Sequence, residues 1–440
     1  MLKVKIEPTK EEIKSQGGIL PAGRLLKRFG FKHLDDLDRS TTKPAEYPSG
    51  DVFLSYVGML CLGYRDFYDI DRFREDRLFK VALGLDDVSS EGTLRDRIRS
   101  NPEVAYELRS MNADFVWDVM RPGSYELPDK RKVVFADLDV SVHDNSGARK
   151  REGVGMTYKG VMGFSPVYVY VGNEGYMLDA ELRPGEQHCQ NGTPEFMRSA
   201  MAGAERRNVK LLFRMDSGND SLENIRLCHN RRHHYIIACN PRRMDLSEKA
   251  EDAESFGEMV EKSPSGEVHL WRETVYHEGE RGGCIKAYRV VRLERTLQDE
   301  KGQKLLVPLD EVSMWWTDLP FDPQEIVGLY NEHGTSEQYH SEMKTDMDME
   351  KFPALSFEMN KVVHAAAMVA FNVLRRMGVD AAAMEKNARR DSMRMRIRTV
   401  IIEIMRSAGK FVFSGNVFRL KMNYMDRAYP MVSQLYNAYG

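Results

Sequence analysis

Cysteine is scarce in this sequence and offers no obvious pairing. The five that occur, Cys61, Cys189, Cys228, Cys239 and Cys284, are odd in number and scattered, with no CxxC pair, which excludes a disulfide framework and suits a reducing compartment. Zinc-finger spacing is missing as well. Cys228, His229, His233, His234 and Cys239 lie close in sequence, but HHYIIACN reads as a buried strand, so packing and not metal binding is the expectation. Long apolar runs are also absent. The N-terminal MLKVKIEPTKEEIK lacks the core of a signal peptide, and the best apolar helical patch, VVHAAAMVAFNVL (362–374), is too short to span a bilayer. A cytoplasmic protein with no membrane partner is therefore expected.

An excess of positive charge is missing too: the formal net charge of −3 excludes a histone-like nucleic-acid binder. The charge is unevenly placed, however. Between Lys386 and Arg427 stand eleven Lys or Arg against three acids, a local +8 that suits phosphate binding. Repeats and low-complexity tracts are absent, and an apolar fraction of 42% beside 30% charged residues excludes a disordered chain.

What is present divides into segments, and 440 residues leave room for two to four domains. Residues 1–130 show apolar positions at steps of three and four between Gly, Pro, Asp and Ser breakers, a helical region. Within it, SSEGTLRDRIRSN offers Ser90 and Thr93 as caps of a short arginine-rich helix of the kind that can read DNA. At Lys132 the period changes to two. KVVFADLDVSV, GVMGFSPVYVYVG and GYMLDAELRPG form an antiparallel meander, and TPEFMRSAMAGAERRN, VKLLFRMDSGN, SLENIRLCHNRR and HHYIIACN continue as helix, strand, helix, strand. This β-β-β-α-β-α-β order over 131–241 is that of a ribonuclease-H-like core. Residues 242–320 read as a β-rich insertion, 321–380 as the second part of the core, and 381–440 as a basic C-terminal region. The fold class is α/β within an α+β multidomain chain.

Carboxylates at strand ends carry the chemistry of such a core. Asp139 closes the first strand and Asp216 the fourth, where an open α/β sheet forms its functional crevice. Asp137 shares the face of Asp139, since side chains two apart on a strand point the same way. A third acid comes from YNEHGTSEQYHSEMK. At about 100° per residue, Tyr330, His333, Glu337 and Lys344 fall within roughly 60° of one another on a helix face. Gly334 and the capping box Thr335–Gln338 offer the alternative of a helix starting at Thr335, with Tyr330 and His333 in the entering loop. Two aspartates and a glutamate supply hard oxygen ligands for Mg2+, and two ions about 3.5–4 Å apart can activate an attacking oxygen and stabilise a leaving one. Lys344 can then meet a phosphate.

These residues resemble DDE-type transposases of bacterial insertion sequences, in the branch marked by Tyr-x2-Arg-x3-Glu-x6-Lys, which reads here as Tyr330, His333, Glu337 and Lys344. DLDVS matches the family's first aspartate at Asp139 in preference to Asp137, and RMDSGN its second at Asp216. The departure is His333 in place of arginine, and a neutral imidazole grips phosphate less firmly than a guanidinium. The resemblance implies a catalytic and metal-binding triad of Asp139, Asp216 and Glu337, with two Mg2+ ions (Mn2+ as substitute). It also implies cleavage at terminal inverted repeats, hairpin-mediated excision, strand transfer into target DNA, and a homodimer on paired ends of double-stranded DNA near a bacterial nucleoid. Trp271, Trp315 and Trp316, in or beside the insertion, are candidate platforms for a flipped base, with packing in the insertion as the plainer alternative. Two rivals stay open: a ribonuclease-H-like endonuclease without strand transfer, and a domesticated DNA-binding protein that kept the fold.

Overall fold

A computed structural model describes residues 8–40, 46–279, 283–384 and 393–440. The chain divides into two compact units, one formed by 1–115, 150–152 and 341–440, the other by 116–149 and 153–340.

The first unit is mainly helical. Its central element is Phe357–Met384, which packs against the helices Ser49–Cys61 and Val104–Phe115. The sequence marked only residues 362–374 as an apolar patch too short to cross a bilayer. The helix extends the patch at both ends to 28 residues, long and apolar enough to cross by length and composition, but 89% of its most apolar window is buried inside the fold. Burial on nearly every side likewise explains why Ser49–Cys61 carries almost no polar stripe. The expected arginine-rich helix is Glu91–Ser100, capped by the Ser90 hydroxyl accepting from the Thr93 amide. Two of its arginines turn onto the protein. Arg95 pairs with Glu91 at 2.7 Å and lies over the Phe67 ring, while Arg97 binds Asp38 and donates to the Tyr47 carbonyl.

The C-terminal segment is pinned to the same unit. Glu342, only 1% exposed, accepts from Arg394 and the Ile397 amide at 3.2 and 3.0 Å and lies 3.1 Å from the Arg375 guanidinium as its ion-pair partner. Asp346 accepts two bonds from Arg396, at 2.7 and 3.0 Å. Lys410 pairs with Glu11 and Arg427 with Glu403. Several cations of the basic tail therefore have acidic partners within the fold. Part of that tail, 385–392, lies outside the described residues.

The second unit is organised by a mixed sheet of ten strands among the described residues. The core strands are β1 (Lys132–Val140), β2 (Val167–Val171), β3 (Tyr176–Glu181), β4 (Leu211–Met215) and β5 (His234–Ala238). They lie in the order β3-β2-β1-β4-β5, with β2 and β3 antiparallel and β1, β4 and β5 mutually parallel. This is the ribonuclease-H-like arrangement expected from the sequence. Helix Thr193–Glu205 leads from the meander to β4, and Leu222–Arg231 crosses from β4 to β5. Because β1 and β4 are interior strands, both of their faces are buried, which is why their sequences run nearly continuously apolar until the acids appear.

The insertion forms β6 (Glu258–Ser263), β7 (Gly266–Glu278), β8 (Cys284–Gln298) and β9 (Lys304–Thr317) after a helix at Leu246–Phe256. It extends the core sheet: β9 pairs antiparallel with β5, with Ile237 opposite Trp316. Packing and hydrogen bonds account for four of the five clustered Cys and His positions. His233 Nδ1 accepts from the Leu211 amide, His234 meets Asp318 at 2.6 Å, and Cys228 and Cys239 are buried.

Candidate active site

On one face of the sheet the parallel ladder between β1 and β4 sets two polar pairs in succession. Asp137 stands opposite Arg214, and Leu138 opposite Met215, so Asp139 and Asp216 are the next same-face neighbours at the strand ends. The first pair is structural. Arg214 donates to both oxygens of Asp137 at 2.6 and 2.8 Å, its Nη1 reaches the Leu329 carbonyl, and its guanidinium covers the Phe135 ring at 4.1 Å. Both side chains are at most 3% exposed, so each charge depends on the other for its compensation. Asp139 is partly open, with 21% of its side chain exposed. The competition between the two acids is resolved by their neighbours.

Asp216 begins the turn Ser217–Asn219 and accepts from the Asn219 side-chain amide at 2.8 Å. The glycine of this Asp-Ser-Gly turn sits close against its neighbours. A Cβ on Gly218 would lie 3.1–3.3 Å from Cys189 Sγ and both Asp216 oxygens. Asp139 accepts from His340 Nε2 at 3.1 Å, while His340 Nδ1 meets the Tyr170 hydroxyl at 3.3 Å. One neutral tautomer satisfies both bonds: Tyr170 donates to Nδ1, and Nε2–H donates to the carboxylate. His340 is packed against the Tyr168 and Tyr170 rings, and Tyr168 in turn bonds His143 at 2.9 Å.

The stretch from Tyr330 to Lys344 is a succession of elements. Helix Pro323–Asn331 ends just after Tyr330, a tight turn spans Glu332–Thr335, helix Ser336–Ser341 follows, and Glu342–Asp346 widens into a π turn. The single stripe over all four residues is therefore not what forms. Tyr330 packs on Trp315 at 5.6 Å and donates to the Met215 carbonyl at 3.4 Å, just before Asp216. Burial, and then the charges of Asp216, Asp139 and Asp137, push its hydroxyl pKa up. Glu337 is exposed, one helical turn before His340 on the same face. Its short helix is anchored by Tyr339, whose ring lies against Gly175 (φ 70°), at a distance of 2.3–2.6 Å from where a Cβ would stand. The side chain of His333 lies outside the described residues, and Lys344 belongs to the first unit.

The tryptophans expected as base platforms are engaged in packing. Trp315 is part of the apolar cluster with Leu127, Phe135, Ile236 and Val290. Trp316 is 4% exposed, with Arg289 over its ring at 4.3 Å and His277 at 5.0 Å. Trp271 is half-buried against Phe256 and Lys249. The cause is the sheet continuity: β9 is an interior strand where it meets β5, so its side chains there enter the core.

The donor set at Asp139 and Asp216 is hard oxygen at two neighbouring strand ends, which fits a divalent cation. Among the described residues, no group of three or more His, Cys, Asp or Glu side chains is drawn together tightly enough to hold one. The two aspartates end adjacent parallel strands, and Glu337 lies on the short helix whose His340 bonds Asp139. Each aspartate takes a side-chain hydrogen bond of its own, Asp139 from His340 and Asp216 from Asn219.

Sequence reading missed three residues. His340 lay in the quoted stretch, one turn from Glu337, and that spacing was its available signal. Arg214, two positions before Asp216, shares the face of the aspartates by strand alternation. The third is Tyr158, at the tip of a hairpin, whose hydroxyl donates to the Val140 carbonyl at 3.2 Å. Burial of the hydroxyl, then Asp139 and Asp216, raise its pKa. No spacing in the sequence signals it.

No curated protein matches the chain. Among solved structures, a piggyBac transposase synaptic complex with hairpin DNA is similar at 11% identity with a TM-score of 0.42, over 87% of this chain and 79% of that one. The profile of the family described as Transposase DDE domain group 1 matches residues 1–424, taking in Asp139, Asp216 and Glu337. The chain belongs to this family of DDE transposases, enzymes that act on the phosphodiester bonds of DNA, a class generally dependent on divalent metal ions.

Proposed function

We propose that the protein catalyses Mg2+-dependent cleavage at the inverted-repeat ends of a mobile element and joins those ends to target DNA, with hairpinned ends as intermediates and a homodimer holding the two ends. The observation that carries the reading is the convergence of Asp139 and Asp216 at adjacent parallel strand ends, next to the helix that bears Glu337. A bound divalent cation supplies Lewis acidity there, making a water or DNA 3′-hydroxyl a better nucleophile and offsetting charge on the phosphate.

The protein's own residues prepare that chemistry. Asp139 and Asp216 would hold the cation, and Glu337, on the helix that carries His340, would be its third ligand. His340 fixes the orientation of Asp139 through Nε2, and Tyr170 fixes His340. Tyr330 steadies the end of β4 that presents Asp216.

The test is excision and joining of a marked DNA segment flanked by the terminal repeats found beside the coding sequence. Asp139→Asn, Asp216→Asn and Glu337→Gln should each reduce cleavage to background while leaving end binding intact in a gel-shift assay. Full activity in all three variants would refute the reading. Cleavage by the wild type without joined products would instead identify an endonuclease.

A further inference from the structure

With Trp315 and Trp316 buried and Trp271 packed, an aromatic surface for DNA has to be sought elsewhere around the carboxylates. Two tyrosines sense the charges of both Asp139 and Asp216. Tyr330 is largely enclosed against Trp315, whereas Tyr158 is 65% exposed.

Tyr158 is held in place. It lies in the turn between the short strands Gly155–Met156 and Met162–Phe164, which pair antiparallel with Met156 opposite Met162. Thr157 closes this turn twice, with its amide and its hydroxyl both donating to the Val161 carbonyl at 2.9 and 2.8 Å. Gly160, at φ +75°, completes it by donating to the Thr157 carbonyl. The Tyr158 hydroxyl is tied to the Val140 carbonyl, one residue beyond Asp139, while most of the residue stays in solvent. Met156, two residues earlier, is 57% exposed, and the exposed Lys159 carries its ammonium 5.8 Å from the Tyr158 ring. A rigid, solvent-facing aromatic ring beside a cation is the combination that binds nucleotides, the ring by stacking on a base and the ammonium by meeting a phosphate.

We propose that Tyr158 and Lys159 form the nucleotide-contacting tip of the active site, with the Tyr158 ring stacking on the base beside the scissile phosphate and Lys159 binding the neighbouring phosphate. The inference rests on Asp139 and Asp216 being the catalytic pair. It places the stacking surface on the hairpin that follows β1, outside the insertion.

The experiment uses the full chain and a duplex of the terminal repeat beside the coding sequence, carrying 2-aminopurine at the positions flanking the cleavage point. Wild-type protein should quench the 2-aminopurine emission on binding. Tyr158→Ala and Tyr158→Leu should lose the quenching and cleave about tenfold more slowly, with an unchanged circular dichroism spectrum. Tyr158→Phe and Tyr158→Trp, which keep a flat ring, should retain both properties. Loss in Tyr158→Phe equal to that in Tyr158→Ala would assign the effect to the hydroxyl bond with Val140 and overturn the proposal. Wild-type quenching and cleavage in Tyr158→Ala, with Asp139→Asn inactive, would overturn it while leaving the catalytic pair standing. Normal cleavage by Asp139→Asn would instead remove the catalytic reading itself.

Discussion

At the scale of single residues, Asp137 and Asp139 show how neighbours divide work between chemically identical side chains. Asp137 faces Arg214 in a buried bidentate pair, so replacing it with alanine leaves a guanidinium in the core without compensation and should cost about 3–5 kcal/mol. Asp139→Asn, at a partly exposed strand end beside another carboxylate, should change stability by about 1 kcal/mol or less while abolishing cleavage. Urea unfolding of the two variants checks this. Equal stability of Asp137→Ala and wild type would contradict the structural role given to the buried pair. In the sequence the two acids were separable only by resemblance to a family motif. Strand alternation puts both on one face, and the deciding partner, Arg214, is 77 residues away in a parallel register that no local pattern encodes. Tyr158 was illegible for a related reason, because its significance comes from the place where its hydroxyl lands.

At the scale of elements, order and type were largely legible while partnerships were not. The switch from period three-to-four to period two at Lys132 marks the real start of β1, and the β-β-β-α-β-α-β order holds in the main sheet, although GVMGFSPVYVYVG divides into Met162–Phe164, which joins a separate small sheet, and Val167–Val171. That the insertion continues the core sheet through β9 and β5 depends on edge pairing, which is a long-range choice. The same pairing buries Trp315 and Trp316. The long helix Phe357–Met384 carries a consequence of its burial. His364 is 1% exposed, lies against the Phe352 ring, and has its pKa lowered to about 3 by burial and then by Arg109. A lowered folded pKa means that the unfolded chain takes up the proton first. This contribution to stability is intact above the ordinary value near 6.5 and is lost as pH falls from there towards about 3, at roughly 1.4 kcal/mol per pH unit. Denaturant midpoints measured from pH 7 to 4 should fall in wild type and fall less steeply in His364→Leu. Identical slopes in the two proteins would show that His364 is not the group responsible.

At the scale of the whole molecule, the tryptophans lie in one of the two compact units and offer a probe of it. All four tryptophans, Trp117, Trp271, Trp315 and Trp316, belong to the second unit, together with Asp139, Asp216 and Glu337. Tryptophan emission therefore reports the unfolding of the unit that would hold the cation, whereas far-ultraviolet circular dichroism is weighted towards the helical first unit. A ligand that binds only the folded state stabilises it by about 2.7 kcal/mol at a hundred times its dissociation constant. For a unit of roughly two hundred residues this corresponds to an upward shift of about 5–10 °C. Adding Mg2+ or Mn2+ should move the fluorescence midpoint upward by an amount of this order, and EDTA should reverse it. Asp139→Asn and Asp216→Asn should abolish the shift, because each removes one of the two carboxylates that converge at the strand ends. A fluorescence midpoint insensitive to Mg2+ and Mn2+ in the wild type would count against the pair as a cation site. A shift that survives in both variants would locate the bound cation elsewhere in the molecule.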